Sequence, residues 1–430
     1  MKQYKTPSAS EWEALMQRPT ATYEDLEPLV ASVFDAVKAK GDQAIIDYTA
    51  QFDGVLQDEF KVTSLELDQA ATKVSEPLKN AIQNAKDNIE RFHKAQLTET
   101  LRVTTQNGVE CWQEKKPIEK VGLYIPGGSA PLFSTILMLA IPAQIAGCKE
   151  IVLCSPPNKE GGLPAEVLYT AKLCGIEQIF KVGGIQAIAA MALGTEQIPK
   201  VYKIFGPGNQ YVTVAKQWAT RHHVAIDMPA GPSELLVVAD ESGKADFIAA
   251  DLLSQAEHGK DSQVVFVTTH EPLLEQVAQS IAAQLDDLPR KEIAAAALEN
   301  SKAIYFEKDS EAIDFINSYG PEHYIVCVTN ESLYLENVNN AGSVFVGNYT
   351  PESAGDYASG TNHTLPTNGY SKQYSGVNLD SFRKAITFQK ITKEGIQSLG
   401  ETIELMAAAE GLEAHKNAVS IRLKAIKDGI

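Results

Sequence analysis

The chain has 430 residues, of which 44% are hydrophobic and 22% charged, and its formal net charge is −17. A chain of this length exceeds what one hydrophobic core usually holds, so we expect two or more domains. The acidic balance repels phosphate backbones and anionic lipids, which argues against nucleic acid or a membrane as the main partner.

Two features of the sequence bear on its compartment. The most apolar stretch, LFSTILMLAIPAQIAG, is interrupted by Pro142 and is too short to span a bilayer, and the first residues lack the apolar segment of a signal peptide. The five cysteines form no CxxC pair, and an odd number suits buried, reduced thiols better than a disulfide framework. We therefore expect a cytoplasmic protein.

The spacing of apolar residues changes along the chain. Residues 1–95 have helical periodicity, as in PLKNAIQNAKDNIERFHKAQ, which predicts amphipathic helices. From about residue 118 short apolar runs alternate with helical segments, and the alternation resumes at ELLVVAD and continues to GSVFVG. This rhythm predicts an α/β fold with two parallel-sheet units whose helices cover the sheet faces.

Two segments near the C-terminus do not follow this rhythm. Residues 347–376 are polar and glycine-rich without periodicity, and so long a segment is usually functional or disordered. The remaining residues predict two helices that are divided near Gly411. Such a helical arm could extend onto a partner subunit.

Three glycine-rich turns precede predicted helices. KIFGPGNQYVTVAKQ resembles a dinucleotide-binding fingerprint, but Tyr211 replaces its third glycine and no acidic residue follows at the ribose spacing. IPGGSAPLFS and VGGIQA also expose backbone N–H groups at a helix N-terminus, where anions bind. The turns are either tight connections only or the cradle of a phosphate-bearing ligand in a non-standard binding mode.

Metal-binding candidates are scattered along the chain. There are eight histidines but no HExxH motif and no cysteine-rich spacing, so a metal site must be assembled from distant segments. Gln255 and His258 are three residues apart at a predicted helix end and share a face. Asp356 and His363 lie in the polar segment, and His415 lies in the C-terminal arm. Each is either a ligand or a solvated surface residue.

A candidate acid–base pair follows a Gly-Pro turn. Glu322 and His323 can serve one site only if they lie in the turn, since neighbours on a regular strand point to opposite faces. The alternative is a pair of ordinary loop charges. The cysteines offer a nucleophile for aldehyde chemistry, but their apolar surroundings favour inert buried thiols.

Several long motifs, in one order from about residue 119 to the C-terminus, resemble the histidinol dehydrogenase family. The motifs are VGLYIPGGSAPLFSTILMLAIPAQIAGC, KIFGPGNQYVT, IDMPAGPSELLV, DLLSQAEHGKDSQV, YGPEHYIV, AGSVFVGNYTPESAGDYASGTNHTLPT and AAAEGLEAHKNAVS. The resemblance implies NAD-dependent oxidation of L-histidinol to L-histidine through histidinal, with one zinc ion per subunit. It also implies a homodimer whose C-terminal arm crosses to the partner, and two incomplete Rossmann-like domains.

The resemblance also assigns roles to single residues. It implies zinc ligands at Gln255, His258, Asp356 and His415, and catalytic acid–base groups at Glu322 and His323. It implies NAD contacts at Tyr124, Gln186 and Asn209. Substrate contacts are expected from the zinc ligands, His323, Ser233 and Glu410, whereas His363 receives no role.

We predict the following division of the chain: an N-terminal helical arm (1–24), a discontinuous first α/β domain (25–118 and 231–370), a second α/β domain with the NAD contacts (119–230) and a C-terminal helical arm (371–430).

Three other functions remain open. A zinc hydrolase would use Glu322 to activate water without a nucleotide. A cysteine-dependent aldehyde dehydrogenase would need a reactive thiol. A non-enzymatic nucleotide-binding module would catalyse no reaction.

Overall fold

Fourteen strands and seventeen α-helices lie within residues 1–19, 25–127, 131–229 and 231–429, the part of the chain that the computed structural model describes. The strands are β1 (Lys2–Lys5), β2 (Leu101–Gln106), β3 (Val109–Pro117), β4 (Lys120–Tyr124), β5 (Glu150–Ser155), β6 (Gln178–Lys181), β7 (Lys203–Phe205), β8 (Ala225–Ile226), β9 (Glu234–Ala239), β10 (Gln263–Thr268), β11 (Lys302–Tyr305), β12 (His323–Cys327), β13 (Ser343–Val346) and β14 (Arg383–Ile391).

The helices are α1 (Ala9–Leu15), α2 (Glu27–Lys40), α3 (Asp42–Phe52), α4 (Ser64–Lys73), α5 (Glu76–Lys94), α6 (Ser134–Ala146), α7 (Ala165–Leu173), α8 (Gly184–Leu193), α9 (Gln210–Ala219), α10 (Ala245–Ala256), α11 (Pro272–Leu285), α12 (Lys291–Glu299), α13 (Asp309–Tyr319), α14 (Glu331–Glu336), α15 (Glu352–Tyr357), α16 (Lys393–Ala409) and α17 (Glu413–Lys427). The chain divides into two units: Met1–Gln96 with Ile118–Phe382, and Leu97–Pro117 with Arg383–Ile430.

The first unit contains a five-stranded parallel sheet in the order β6-β5-β4-β7-β8. Counted along the chain this is the order 3-2-1-4-5, which is a Rossmann sheet without its sixth strand. Val121 and Leu123 of β4 lie in one buried cluster and Tyr124 lies in another, so both faces of the sheet are covered. Helices α2, α3, α8 and α9 pack on one face, and α4 to α7 pack on the other.

The same unit contains a six-stranded parallel sheet in the order β1-β11-β10-β9-β12-β13. Its strands β9 to β13 repeat the order 3-2-1-4-5, and β1 is added at the edge by parallel pairing with β11. Leu235 and Val237 face one core, whereas Leu236 and Val238 face the other. The predicted α/β fold with two parallel sheets is confirmed.

The second unit consists of the antiparallel sheet β14-β3-β2 and the helices α16 and α17. Trp112 of β3 and Phe388 of β14 are stacked with their ring centroids 5.2 Å apart. The helix pair was predicted, and Gly411 lies between the helices with a φ of 72°. None of the three strands was predicted from the sequence, because their polar and apolar residues do not alternate clearly.

The structure differs from the expected helical N-terminal arm at residues 2–5, which form β1 rather than a helix. Residues 20–24 of that arm, and Gly128, Ser129 and Ala130 of the first glycine-rich turn, lie outside the described residues. The segment 25–118 was grouped with 231–370 from the sequence, whereas the buried side chains of α2 to α5 belong to the cores of the five-stranded sheet. The domain boundaries stay a prediction.

Within the described ranges, no helix has both the length and the apolar composition needed to cross a bilayer.

Candidate active site

The pair Glu322 and His323 lies at the start of β12. Gly320 ends α13 in the left-handed conformation, Pro321 follows it, and His323 is the first residue of the strand. Both side chains are buried, with 6% and 3% of their area exposed. Glu322 lies in the expected turn, whereas His323 already belongs to the strand, and both side chains nevertheless line one cavity.

The ring of His323 is held in one orientation by the backbone. Its Nδ1 lies 3.0 Å from the carbonyl oxygen of Glu234, so we assign the tautomer in which Nδ1–H donates to that oxygen. Nε2 then carries the lone pair. It is buried, has no hydrogen-bond partner among the described residues and lies 3.5 Å from Oδ1 of Asp356. The geometry leaves Nε2 as the atom that can accept a proton.

The carboxylate of Glu322 is held by Glu234 of β9, the residue that also holds the ring of His323. Its Oε2 accepts a hydrogen bond of 2.8 Å from the backbone N–H of Glu234. Burial raises the pKa of Glu322 to about 8, although His323 and the backbone N–H act in the opposite direction. When this carboxylate is ionised it is therefore a stronger base than an ordinary glutamate.

Three carboxylates surround the imidazole of His323. Burial lowers the pKa of His323, but Glu322, Glu352 and Asp356 outweigh that effect and raise it well above the usual value. Glu352 is almost fully buried as well. So much negative charge in a buried site is costly unless a cation balances it, so the cluster is suited to a metal ion.

The predicted ligands of the first unit lie together. Gln255 is in the last turn of α10, His258 follows that helix, and Asp356 is on α15. They line one cavity of about 90 Å³ with Ser233 and His323. One ligand atom each of His258, Asp356 and Glu352 lies within 4.8 Å of the others. His258 was predicted inside the helix end, whereas α10 ends at Ala256.

Glu352 is a site residue that the sequence analysis missed. It lies four residues before Asp356, so both side chains lie on one face of α15. The amide of Gln255 faces its carboxylate. With the amide nitrogen turned toward Glu352, Gln255 donates to that carboxylate and its oxygen accepts from the N–H of Glu234 at 3.1 Å. The Glu-x-x-x-Asp spacing in TPESAGDYAS was the signal that could have identified it.

Two predicted residues belong to the second unit. Glu410 follows the last turn of α16, and His415 is in the first turn of α17. Both side chains are exposed on that unit. Their roles as substrate contact and zinc ligand stay predictions.

The three predicted NAD contacts lie together in a cavity of about 620 Å³, which Tyr124, Gln186 and Asn209 line with Phe52 and Asp53. Asn209 also lines the cavity of about 230 Å³ that contains Ser233, His258 and Glu322. The two cavities therefore adjoin. Tyr124 ends β4 and Asn209 follows β7, so this crevice lies where the strand order of the sheet reverses.

Polar groups in the larger cavity are only partly satisfied. The hydroxyl oxygen of Tyr124 accepts from the N–H of Gly184 at 3.1 Å, which leaves its own proton available. Nε2 of Gln186 donates to Asp53 at 3.2 Å, whereas Oε1 of Gln186 is buried and has no partner in the part of the chain that is described. A ligand that accepts a hydrogen bond from the Tyr124 hydroxyl and donates one to Oε1 of Gln186 would satisfy both groups.

The irregular fingerprint turn is fixed by a buried ion pair. Nζ of Lys216 lies 2.5 Å from Oδ1 of Asp227 and donates to the carbonyl oxygen of Gly206 at 2.8 Å. Oδ2 of Asp227 accepts from the N–H of Gly206, also at 2.8 Å. A Cβ at Gly206, which has a φ of 132°, would collide with the carbonyl oxygen of Tyr124. The turn is therefore rigid and lies against β4.

The cysteines do not support the thiol-dependent alternative. All five are unpaired. Burial raises the pKa of Cys148, Cys174 and Cys327 to about 12, and raises that of Cys154 further. Such thiols are protonated at neutral pH and are poor nucleophiles.

Comparisons with known proteins agree with this geometry. The family model described as histidinol dehydrogenase matches residues 16–423. The histidinol dehydrogenase of Bacteroides thetaiotaomicron is 57% identical over 427 residues, which cover 99% of this chain and 100% of that protein. That of Aliivibrio fischeri is 51% identical over 424 residues, which cover 98% of this chain and 96% of that protein.

A solved structure is similar over the whole length. The crystal structure of histidinol dehydrogenase from Elizabethkingia anophelis has a TM-score of 0.97 and 56% sequence identity, and the match covers 99% of each chain. These matches confirm the class of enzyme, an oxidoreductase, that the sequence motifs indicated. The chain belongs to the histidinol dehydrogenase family.

Proposed function

We propose that this chain oxidises L-histidinol to L-histidine through histidinal, the last step of histidine biosynthesis, with NAD and zinc. The observation that carries the proposal is the buried, unpartnered Nε2 of His323, which faces a candidate metal cluster beside a nucleotide-sized cavity. A base, a cation site and a hydride-acceptor site in one place are what an alcohol dehydrogenation requires.

The residues present fit one zinc ion. An amide, a carboxylate and an imidazole are available from Gln255, Asp356 and His258, and His415 would complete four ligands. The excess of negative charge around His323 supports a divalent cation here. When bound, zinc supplies Lewis-acid orientation of the substrate's nitrogen atoms, and NAD supplies the hydride acceptor.

His323 carries the first proton transfer. Nε2 accepts the proton of the alcohol O–H as the carbinol carbon loses hydride, and the C–O single bond becomes the aldehyde carbonyl. The hydrogen bond from Nδ1–H to the carbonyl oxygen of Glu234 stabilises the positive charge that forms on the ring. Ser233 lines the same cavity and is positioned to contact the substrate.

Glu322 carries the second transfer. Its carboxylate removes a proton from the water that attacks the aldehyde carbon, and Nε2 of His323 returns the proton taken from the alcohol to the carbonyl oxygen, which gives the hydrated aldehyde and frees Nε2 again. His323 then accepts the hydroxyl proton of that hydrate as a second hydride leaves, and the product is the carboxylic acid. The raised pKa of Glu322 makes its carboxylate suited to removing a proton from water.

Tyr124, Gln186 and Asn209 would hold NAD. Their shared cavity, the phenolic proton of Tyr124 and the unpartnered oxygen of Gln186 support this assignment. Asn209 lines both cavities, so a nucleotide contacted there would reach toward the substrate cavity.

We further infer a cytoplasmic homodimer in which the second unit of each chain serves the site of its partner. Glu410 and His415 are exposed, and Leu405 and Met406 beside them expose 64% and 62% of their area. Apolar side chains this exposed on a helix end are commonly covered in an assembly. The unpaired cysteines are compatible with a reducing compartment.

The test is a histidinol-dependent NADH assay with and without a chelator. We expect two NADH for each histidinol, loss of activity with the chelator and recovery when zinc is added. Activity without NAD would instead indicate a hydrolase. Abolition by a thiol-blocking reagent but not by the chelator would indicate a cysteine-dependent dehydrogenase.

A further inference from the structure

We propose that Arg18 and Glu234 are positioning residues that hold His323 and Glu322 in their working orientations, although neither lines the substrate cavities. This inference rests on the proposed function for the roles of the pair, but the geometry that supports it does not depend on the substrate.

The main chain of Glu234 supports both catalytic side chains. Its N–H donates to Oε2 of Glu322 at 2.8 Å, and its carbonyl oxygen accepts from Nδ1 of His323 at 3.0 Å. A shift of this one residue would therefore move the carboxylate and rotate the imidazole together.

The side chain of Glu234 fixes that main chain in place. Its carboxylate is 1% exposed and accepts from Nε and Nη2 of Arg18, each at 3.0 Å, in a two-pronged ion pair. Its Oε1 also accepts from the N–H of Asn368 at 2.6 Å. The carboxylate thus joins the N-terminal segment, the start of β9 and the polar segment that carries Asp356.

Arg18 is itself held from several directions. Nη2 donates to the carbonyl oxygen of Tyr319 at 2.9 Å, Nη1 donates to that of Met16 at 3.3 Å, and the guanidinium lies 3.8 Å from the ring centroid of Tyr319. A planar guanidinium satisfies all these contacts at once, whereas a lysine ammonium could not.

The location of this ion pair argues for more than a role in folding. Apolar side chains of similar volume often stabilise a fold as well as a buried ion pair does, so folding alone does not require this pair. The other residues of β9 are apolar and buried, and the single charged residue is the one whose backbone contacts Glu322 and His323. Placement errors of one ångström at reacting groups have large effects on rate.

The test compares Arg18→Ala, Arg18→Lys and Glu234→Gln with the wild-type dimer, and the matched control is Arg221→Ala. Arg221 is an exposed arginine that lies 3.8 Å from the ring of Trp218. We measure kcat per zinc-loaded site, KM for histidinol and the melting temperature. For Arg18→Ala we expect kcat to fall by about ten- to a hundredfold while KM changes little.

Added guanidinium separates positioning from folding. At concentrations below those that unfold the protein, it should restore kcat of Arg18→Ala several-fold, and it should not change Glu234→Gln or Arg221→Ala. Arg18→Lys should remain impaired. Folded Arg18→Ala with wild-type kcat, or guanidinium that raises the melting temperature without raising kcat, would overturn the proposal.

A second measurement needs no substrate. Nitrogen-15 spectra of histidine-labelled protein, assigned with His323→Asn, report which ring nitrogen of His323 carries the proton. In the zinc-loaded wild type, in which the cation offsets the three carboxylates, the neutral ring should carry its proton on Nδ1, and Glu234→Gln should show a mixture of tautomers. This measurement requires neither a folded Arg18→Ala variant nor a known substrate. An unchanged tautomer of His323 in Glu234→Gln would contradict the proposal.

Discussion

Nδ1 of His323 lies 3.0 Å from the backbone carbonyl oxygen of Glu234, and this contact determines which nitrogen of the ring faces the candidate site. Both residues open parallel strands, with Glu234 at the start of β9 and His323 at the start of β12. The candidate chemistry therefore lies at the amino ends of the six-stranded sheet. In the five-stranded sheet, Tyr124 and Asn209 lie at the carboxyl ends of strands, where open α/β sheets usually bind ligands.

The two half-reactions should respond differently to Glu322→Gln. The amide retains the size and one acceptor oxygen of the carboxylate but cannot take a proton from water, so histidinal oxidation should fall by about a hundredfold or more. Histidinol oxidation to the aldehyde depends on His323 and should fall much less. Rapid-mixing measurements of NADH formation from each substrate separate the two steps.

The control for this comparison is Glu336→Gln, because Glu336 is an exposed glutamate on α14. That variant should retain both rates. An equal loss of both half-reactions in Glu322→Gln would show that Glu322 does not act chiefly on water.

Replacing His258 by asparagine should lower bound zinc and activity together. The imidazole of His258 shares a cluster with Asp356 and Glu352, and no other imidazole of the described residues belongs to that cluster. Loss of one zinc ligand or its support typically lowers metal affinity by about ten- to a hundredfold or more. Metal analysis after dialysis against a weak chelator measures this directly, alongside kcat.

His223→Asn is the matched control, since His223 is exposed and has a φ of 63°, a conformation that asparagine accepts readily. It should retain its zinc. Full zinc occupancy with normal turnover in His258→Asn would remove His258 from the ligand set.

The sequence predicted the sheets and named residues that the fold brings together in the first unit, but it did not identify the residues that support them. Strands β9 and β10 are buried on both faces and read as continuous apolar runs, so they were recognisable. Glu352 and Arg18 were not identified, since an isolated charge in a polar segment looks like a solvated one. Only the folded chain shows that Arg18 meets Glu234 across 216 positions of sequence.

The strands of the second unit show another limit of sequence reasoning. Residues of β2 such as Leu101 and Val103 are exposed on that unit, and the strands lack the alternation that a buried face imposes. The pairing of β3 with β14 joins residues more than 250 positions apart, whereas β2 and β3 are neighbours in the chain. Local periodicity cannot report such a pairing.

Mixed dimers provide a test of the exchanged arm. If the second unit of each chain completes the partner's site, a His415→Ala chain and a Glu322→Gln chain should form heterodimers with one intact site. Each variant alone should form little histidine, and mixing the two after mild dissociation should recover about a quarter of the wild-type rate of histidine formation, from half of the sites in the heterodimeric half of a random mixture. Absence of recovery, with heterodimers verified by mass spectrometry, would place each complete site within one chain.

Asp53 should couple NAD affinity to pH. The fingerprint lacks its ribose-binding acid, and Asp53 from the C-terminal end of α3 instead lines the cavity that we propose for NAD. Burial raises the pKa of Asp53 to about 6. Above that pH the carboxylate is ionised and accepts strong hydrogen bonds from ribose hydroxyls, so NAD binding should strengthen as pH rises from 5 to 7.

Asp53→Asn should lose this pH dependence and bind NAD about tenfold more weakly at neutral pH, as expected for one charge-assisted hydrogen bond. Asp58→Asn, at an exposed aspartate, should behave as the wild type.

In the absence of NAD, the stability of the folded protein should change with pH in the opposite direction to NAD affinity. Because the folded state holds the Asp53 proton more tightly than the unfolded chain does, the wild type loses stability relative to the variant as pH rises through about 4 to 6. Calorimetric NAD titrations and thermal unfolding at pH 5 and pH 8 measure both effects, and an Asp53→Asn protein that binds NAD normally at pH 8 would exclude the carboxylate from the nucleotide site.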